Sequence, residues 1–297
     1  MTINSAINGF FRYSSDGGRD LKCKFCGSKN IVKYGQCQGL QRYFCKNCER
    51  KFTDNDASPH MKTPSFQVAL ALNMFYERKS ICAIRGYIEQ QYRNYPSISS
   101  IYRWIVHFTK MAIEKTEAYS PKVGDVWVVA ETALKINGEK WWVWDIIDSK
   151  TRFSLASHMS RSCSMQNAQA IMGQATKKAG KFPRRVITNT LGTYLKNIEL
   201  MLKKDIKSSQ NTRFIVKSSK AMTEKVNKPL KYGIEVIQKT KKEKSAKLLL
   251  NGYLVYYNFF KPHKDLNYRT PAEKAGIGLS CNSWLSIVEE GSFPKHG

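Results

Sequence analysis

The sequence predicts an α/β protein: a mixed five-stranded sheet with helices, preceded by a small metal-held module and a run of helices. Three observations carry this. Residues 126–148 hold two stretches of β-branched and aromatic residues around Asn137-Gly138, a dipeptide that accepts the positive φ angles of a two-residue hairpin turn. Two Cys-x-x-Cys pairs, Cys23/Cys26 and Cys45/Cys48, stand eighteen residues apart. Beyond residue 148, short apolar runs alternate with segments of helical period.

The composition bounds the function. The chain has 297 residues, 42% hydrophobic and 12% aromatic, enough for a buried core plus smaller modules. Forty-nine Lys and Arg against 23 Asp and Glu leave a formal charge of +26. A field of that size attracts polyanions, and nucleic acid is the usual intracellular one, so nucleic-acid binding is favoured over a merely soluble basic protein. A membrane surface is disfavoured, because no long apolar run exists and the basic residues are spread over several segments. The N-terminus lacks the basic start and apolar stretch of a signal peptide. Thiols in a metal pattern point to a reducing, cytoplasmic compartment.

Residues 1–20 read as a polar leader. In the double knuckle that follows, Cys23, Cys26, Cys45 and Cys48 fill all four positions of a tetrahedral site, so the expected ion is a structural Zn²⁺; four unliganded thiols are the alternative. Strands at 31–35 and 41–44 would make this a zinc ribbon over 21–54, with Lys22, Lys24, Lys29, Lys33, Arg42, Lys46, Arg50 and Lys51 giving it a basic surface. Cys37, Cys82, Cys163 and Cys281 have no partner spacing. Residues 54–63, with Pro59, read as a linker.

Over 64–118 three short helices are expected. Apolar residues recur at three- and four-residue spacing through 65–75, a second helix covers 80–91, and the third enters through Pro96-Ser97-Ile98-Ser99-Ser100, rich in capping hydroxyls. The order suits a helix-turn-helix whose last helix enters a groove, with Ser99, Ser100, Tyr102 and Arg103 as candidates for DNA contact. A helical packing module with Trp104 in its core is the other reading, and the two are compatible.

After the hairpin, the pattern gives a strand at 152–157, a helix at 165–178 ended by Gly180, a strand at 185–189, a helix at 193–204 and a strand at 213–216. Ten Lys and three Glu between 217 and 247 predict a basic surface on a helical segment broken near Pro229. Lys225, Lys228 and Lys231 are its candidates for DNA contact. A last helix covers 245–260, and 278–297 read as a C-terminal tail.

These residues carry a family likeness. Over about 20–277 the chain resembles the DDE transposases of prokaryotic insertion sequences. Its specific pieces are Trp127-Val128-Val129-Ala130-Glu131-Thr132, Lys140-Trp141-Trp142-Val143-Trp144-Asp145-Ile146-Ile147-Asp148 and Val186-Ile187-Thr188-Asn189. The most telling piece is Tyr257-Asn258-Phe259-Phe260-Lys261-Pro262-His263 followed by Thr270-Pro271-Ala272-Glu273-Lys274-Ala275-Gly276. The resemblance implies a ribonuclease-H-like integrase/transposase core over 123–277, in which three carboxylates hold two Mg²⁺ or Mn²⁺ ions. One ion activates the attacking hydroxyl and the other stabilises the leaving oxygen at the scissile phosphate. It also implies double-stranded DNA as partner, insertion-sequence terminal repeats in particular, a homodimer, and association with the nucleoid.

Carried over position by position, the first Asp of the family pattern Asp-Glu-Thr falls at Ala130 and the second, in Thr-Asp, at Asn189. The Glu falls at Glu224, followed by Lys225, with 34 residues between 189 and 224, a separation typical of the family. Val226-Asn227-Lys228-Pro229 replaces a segment that is usually aromatic and glycine-bearing, so a surface glutamate on a Lys-rich helix is the competing reading of Glu224.

Two of the three ligands are thus replaced. Ala130 offers no oxygen, and Asn189 offers a neutral carbonyl where a hard cation with few protein ligands requires charge. Glu131 would need a one-residue slip of its strand to take the place of residue 130. Asp145 and Asp148, on the paired strand, are the candidate substitutes. The expectation is a DNA-binding protein of transposase lineage whose strand-transfer chemistry is lost, against an active transposase that uses Glu224 with Asp145 or Asp148.

Overall fold

Each Cys-x-x-Cys pair turns back on itself because the residue after it adopts the left-handed region: Gly27 at φ 70° and Glu49 at φ 55°. The Gly27 amide donates to the Cys23 carbonyl and the Glu49 amide to the Cys45 carbonyl, both at 2.9 Å. The computed structural model describes residues 21–37, 40–55, 57–59, 61–162, 164–188, 215–238, 240, 242–278 and 283–291. The leader 1–20, Cys163, Asn189, the helix expected over 193–204 and Cys281 lie outside the described residues. Residues 1–62 form one compact unit and 63–297 a second.

In the first unit three antiparallel strands run in sequence order: β1 (Ile31–Cys37), β2 (Leu40–Cys45) and β3 (Lys51–Thr53). The third is too short to show a period in the sequence, but Phe52 in it is buried and stacks on Tyr43 at 5.7 Å. Cys23, Cys45 and Phe52 are the buried centre. So small an apolar core is one that a bound metal would stabilise.

The second unit opens with α1 (Ser65–Tyr76), α2 (Ile81–Tyr92) and α3 (Ile98–Glu117). Ser97 Oγ accepts the Ser100 amide at 3.0 Å, so that capping hydroxyl acts as expected, and Ser80 Oγ caps α2 in the same way, accepting the Ala83 amide at 3.1 Å. The third helix is not short. Ile101, Trp104, Ile105, Phe108, Thr109, Ala112 and Thr116 form one buried stripe that carries it through twenty residues.

The main sheet comprises β4 (Val126–Ile136), β5 (Glu139–Asp148), β6 (Ser154–Ser160), β7 (Arg185–Thr188) and β8 (Ile215–Ser218), in the order β6-β5-β4-β7-β8. The first three are mutually antiparallel, whereas β7 runs parallel to β4 and β8 parallel to β7. Asn137 at φ 51° and Gly138 at φ 83° make the two-residue turn between β4 and β5. Between β6 and β7, α4 (Met165–Ala179) ends on Gly180 at φ 65°. β8 extends two residues beyond its expected end, because its register against β7 carries pairing to Thr188↔Ser218; residues 213 and 214 lie outside the described ones.

The lysine-rich segment forms α5 (Lys220–Gln238), which runs unbroken through Pro229. Its missing amide weakens one turn, yet Val226, Leu230, Ile234 and Ile237 are buried on both sides of it, and Tyr253 Oη donates to the Pro229 carbonyl at 2.7 Å. Burial outweighs the local preference. The helix expected over 245–260 is α6 (Glu243–Val255) followed by one wide π-helical turn, Tyr256–Phe260. That turn presents Asn258 to the edge strand: its Oδ1 accepts the Ser154 amide at 2.8 Å and its Nδ2 donates to the Ser154 carbonyl at 2.9 Å.

The chain then makes α7 (Pro271–Lys274), with a Thr270/Glu273 capping box, and α8 (Trp284–Glu290) within the segment read as a tail. Trp284, Ile287 and Val288 of α8 are buried, and α8 packs on α1. Tyr76 stacks on Trp284 at 5.2 Å and on Tyr256 at 5.8 Å, and its hydroxyl lies 2.6 Å from Thr109 Oγ1. The helices of 64–118 therefore belong to the same compact unit as the sheet. Among the described residues no helix is long and apolar enough to cross a membrane.

A glycine series tests this packing. A Cβ on Gly233 would overlap the Tyr253 ring and one on Gly252 the Tyr76 hydroxyl, whereas one on Gly86 in α2 would meet nothing within 4 Å. Gly233→Ala and Gly252→Ala should each lose about 1–3 kcal/mol in urea unfolding. Gly86→Ala should gain up to about 1 kcal/mol.

Candidate functional site

The β4–β5 ladder runs without a bulge from Trp127↔Asp148 to Ile136↔Glu139. Side chains alternate along a strand and directly opposed residues share a face, so Ala130, Thr132 and Asp145 project to one side of the sheet and Glu131 and Asp148 to the other. Glu131 cannot take the place of residue 130 without displacing every pair in that ladder. On the far side of β4, the parallel register Val128↔Ile187 and Val129↔Thr188 brings β7 up to the position just before Ala130. Asn189 is the next residue and lies outside the described ones.

Ala130 is wholly buried. Its cross-strand partner Asp145 is 2% exposed, and Asp145 Oδ1 has no hydrogen-bond partner among the described residues. Burial pushes the Asp145 carboxyl up to about 7, against a smaller opposing effect of Ser157, which faces it from β6. Helix α5 crosses this face of the sheet. Asn227 of α5 is also buried; its Nδ2 donates to Thr132 Oγ1 at 3.4 Å and its Oδ1 has no partner among the described residues. Asn227 and Thr132 were not singled out by sequence reasoning. The one signal was a polar amide in phase with Val226 and Leu230, on the buried side of a helix otherwise lined with lysines.

Asp148 has a different task. Its Oδ1 accepts the Gly124 amide at 3.0 Å, and its Oδ2 accepts the Thr151 amide and hydroxyl, each at 2.7 Å. Fully buried and pointing away from Ala130, it closes the turn after β5 and is excluded as a substitute ligand. Glu224 stands on the exposed flank of α5, beside the buried line of Thr223, Asn227 and Leu230, and makes no hydrogen bond or ion pair among the described residues. The structure thus brings Ala130 and Asp145 together and leaves Glu224 at the surface. One buried carboxyl held near neutrality, an alanine and an amide do not fit a pair of divalent cations, whose charge would stay uncompensated.

The candidate DNA contacts are all accessible to solvent. Ser99, Tyr102 and Arg103 are exposed and Ser100 half-buried at the start of α3, where Arg103 donates to Ser100 Oγ at 3.2 Å. Lys225, Lys228 and Lys231 are exposed along α5.

The cysteine tetrad fits its metal. Cys23 and Cys48 Sγ are 3.6 Å apart, as are Cys26 and Cys45, and all four lie within 4.8 Å of one another. Sulfurs ~2.3 Å from one zinc at tetrahedral angles sit ~3.8 Å apart. The thiols share protons unevenly: burial pushes Cys48 up to about 12, while at Cys45 burial is outweighed by the amides of Cys48 and Asn47, which bring it down to about 6. A tetrad with one thiol already acidic is readily deprotonated by an incoming cation.

Residues 124–263 match the family model described as a DDE domain, of the IS240 transposase group. Among solved structures, the integrase catalytic core domain of HTLV-2 in complex with magnesium is 13% identical, with a TM-score of 0.41 over 52% of this chain and 97% of that one. The catalytic core domain of BIV integrase is 12% identical, with a TM-score of 0.38 over 51% of this chain and 93% of that one. A chain of the simian T-cell lymphotropic virus intasome in complex with the PP2A regulatory subunit B56 gamma is 9% identical, with a TM-score of 0.37 over 60% of each. No curated protein matches the chain.

Two measurements check this geometry. An Asp whose carboxyl is raised by folding favours the native state at low pH and loses that contribution as pH rises from about 4 to about 7. Asp145→Asn should therefore be the more stable protein at pH 8, by at most about 4 kcal/mol, and lose that advantage near pH 4 in urea titrations. Metal analysis should find one zinc per chain. Chelation, or Cys26→Ser, should unfold the first unit and leave the thermal transition of residues 63–297 in place.

Proposed function

The core of the chain, residues 124–263, belongs to the DDE transposase family, and from that premise we propose that this is a DNA-binding protein of transposase lineage whose strand-transfer chemistry is lost. The observation that carries the proposal is the surroundings of Ala130. It is wholly buried and supplies no oxygen; the acid opposite it is sealed from solvent, and the next one along, Asp148, is consumed by a turn. Mg²⁺ or Mn²⁺, the cofactors of the family, then have no productive seat, and Glu224 alone does not make one. The binding surfaces remain. A basic ribbon, Ser99, Ser100, Tyr102 and Arg103 on α3, and Lys225, Lys228 and Lys231 on α5 suit the grooves and phosphates of double-stranded DNA, at insertion-sequence terminal repeats, by a cytoplasmic homodimer.

One observation favours a second reading. Asp145 lies on the same face as Ala130, directly across the ladder, with an oxygen free of partners among the described residues. An active transposase would be one in which this carboxyl opens to solvent and serves with Glu224 in place of the missing acids.

The two readings separate in one set of assays on terminal-repeat duplex. Affinity should fall at least about a hundredfold between 50 and 200 mM salt, as expected of several phosphate contacts, and the pair Lys228→Glu and Lys231→Glu should lower it further. No strand cleavage should appear with Mg²⁺ or Mn²⁺. Cleavage abolished by both Asp145→Asn and Glu224→Ala would establish the second reading instead.

A further inference from the structure

The outward face of the ribbon sheet is apolar and cationic at once. Val32 lies opposite Phe44, and Phe44 opposite Lys51, so with Tyr34, Leu40 and Arg42 these residues share one side of the three strands. The other side carries Tyr43, Cys45 and Phe52 into the core. Tyr34 is 46% exposed, Leu40 40% and Val32 38%. Single exposed apolar residues call for no explanation, but three on one face of a sheet this small do. Cations are set into the same surface. Lys51 Nζ donates to Tyr34 Oη at 2.6 Å and lies 3.9 Å from the ring centroid, the Arg42 guanidinium lies 5.9 Å from it, and the Phe44 ring lies 6.1 Å away.

The chemistry of this face selects its occupant. Residues 21–54 carry eight basic and two acidic side chains, which favours a polyanion over a protein surface of mixed charge. A duplex hides the faces of its bases and offers phosphates, for which Tyr34, Leu40 and Val32 have no use. An unpaired base presents a flat apolar surface to an aromatic ring, and its flanking phosphates come within reach of basic side chains beside that ring. We propose that this face binds single-stranded nucleic acid, with an unpaired base lying on Tyr34 and the adjoining phosphates meeting Arg42 and Lys51. This goes beyond the duplex binding assigned above and rests on the ribbon's own residues.

The test is fluorescence anisotropy with the full-length, zinc-loaded protein, a labelled oligo-dT of about twelve nucleotides and a terminal-repeat duplex. Tyr34→Ala should weaken oligo-dT binding about tenfold while changing duplex binding less than twofold. Tyr34→Phe, which keeps the ring and loses the Lys51 hydrogen bond, should retain most of the strand affinity. If Tyr34→Ala releases zinc, the pair Arg42→Gln and Lys51→Gln is the alternative variant and should lower both strand affinity and its salt dependence. Unchanged oligo-dT binding would overturn the proposal, as would an equal loss on both ligands. So would a Tyr34→Ala protein whose sedimentation coefficient shifts with strand affinity intact, since the face would then join two copies of the chain. Loss of duplex binding in the unsubstituted protein would sink the transposase-lineage reading and leave this one standing on its oligo-dT result.

Discussion

Backbone pairing between β4 and β5 is the constraint from which the account of the site follows. Asn137 and Gly138 both occupy the left-handed region, which fixes a two-residue loop and thereby the register of every pair beneath it. Once that register is fixed, the acids of the hairpin are sorted without further freedom. Asp145 falls on the side of Ala130, and Glu131 and Asp148 fall on the other. Of the acids on the face of Ala130, Asp145 is sealed from solvent, and Glu139 is exposed but stands at the hairpin turn, six positions along the ladder, opposite Ile136. Directly across the ladder from Ala130, the acid present is therefore a buried one.

The motif that most strongly suggested the family turns out to have a structural task. Tyr257 and Asn258 sit in the wide turn after α6, where a helix of ordinary pitch would aim them elsewhere. Asn258 pairs with both backbone groups of Ser154, as a neighbouring strand would, and Tyr257 Oη donates to the Arg152 carbonyl at 3.0 Å. Edge strand β6 is thus capped by a side chain beside its register shift against β5, which blunts an edge otherwise open to pairing with another chain. Tyr256 donates to Glu77, and Lys261 reaches the same carboxylate at 2.7 Å, tying this turn to the end of α1.

Much of the architecture was legible because local chemistry and burial agree in it. The cysteine knuckles, the Asn-Gly hairpin, the serine cap at Ser97 and the glycine stop at Gly180 each carry a mechanism that acts within a few residues. Where the sequence misled, a distant contact decided. Pro229 reads as a break until the buried line of α5 and the Tyr253 hydroxyl are known. Residues 278–297 read as a tail because nothing near Trp284 announces that it stacks on Tyr76. At the site, the family resemblance leads to acids being expected where Ala130 and Asn189 stand. It did not show that Asp145 is sealed in, since a helix about eighty residues later packs on that sheet, or that Asp148 is committed to Gly124 and Thr151, since a polar turn after a strand does not announce which side chain closes it.

The docking of α8 on α1 has a bearing on how the chain is made. Tyr76 waits for Trp284, about two hundred residues downstream, before its ring is covered on both sides, a separation that slows folding. During synthesis the first helices leave the ribosome with that apolar stripe naked, while the ribbon ahead of them makes its contacts within its own residues. A nascent chain halted before residue 284 would carry a finished ribbon on a sticky, half-built body, a form that chaperones and proteases are equipped to find.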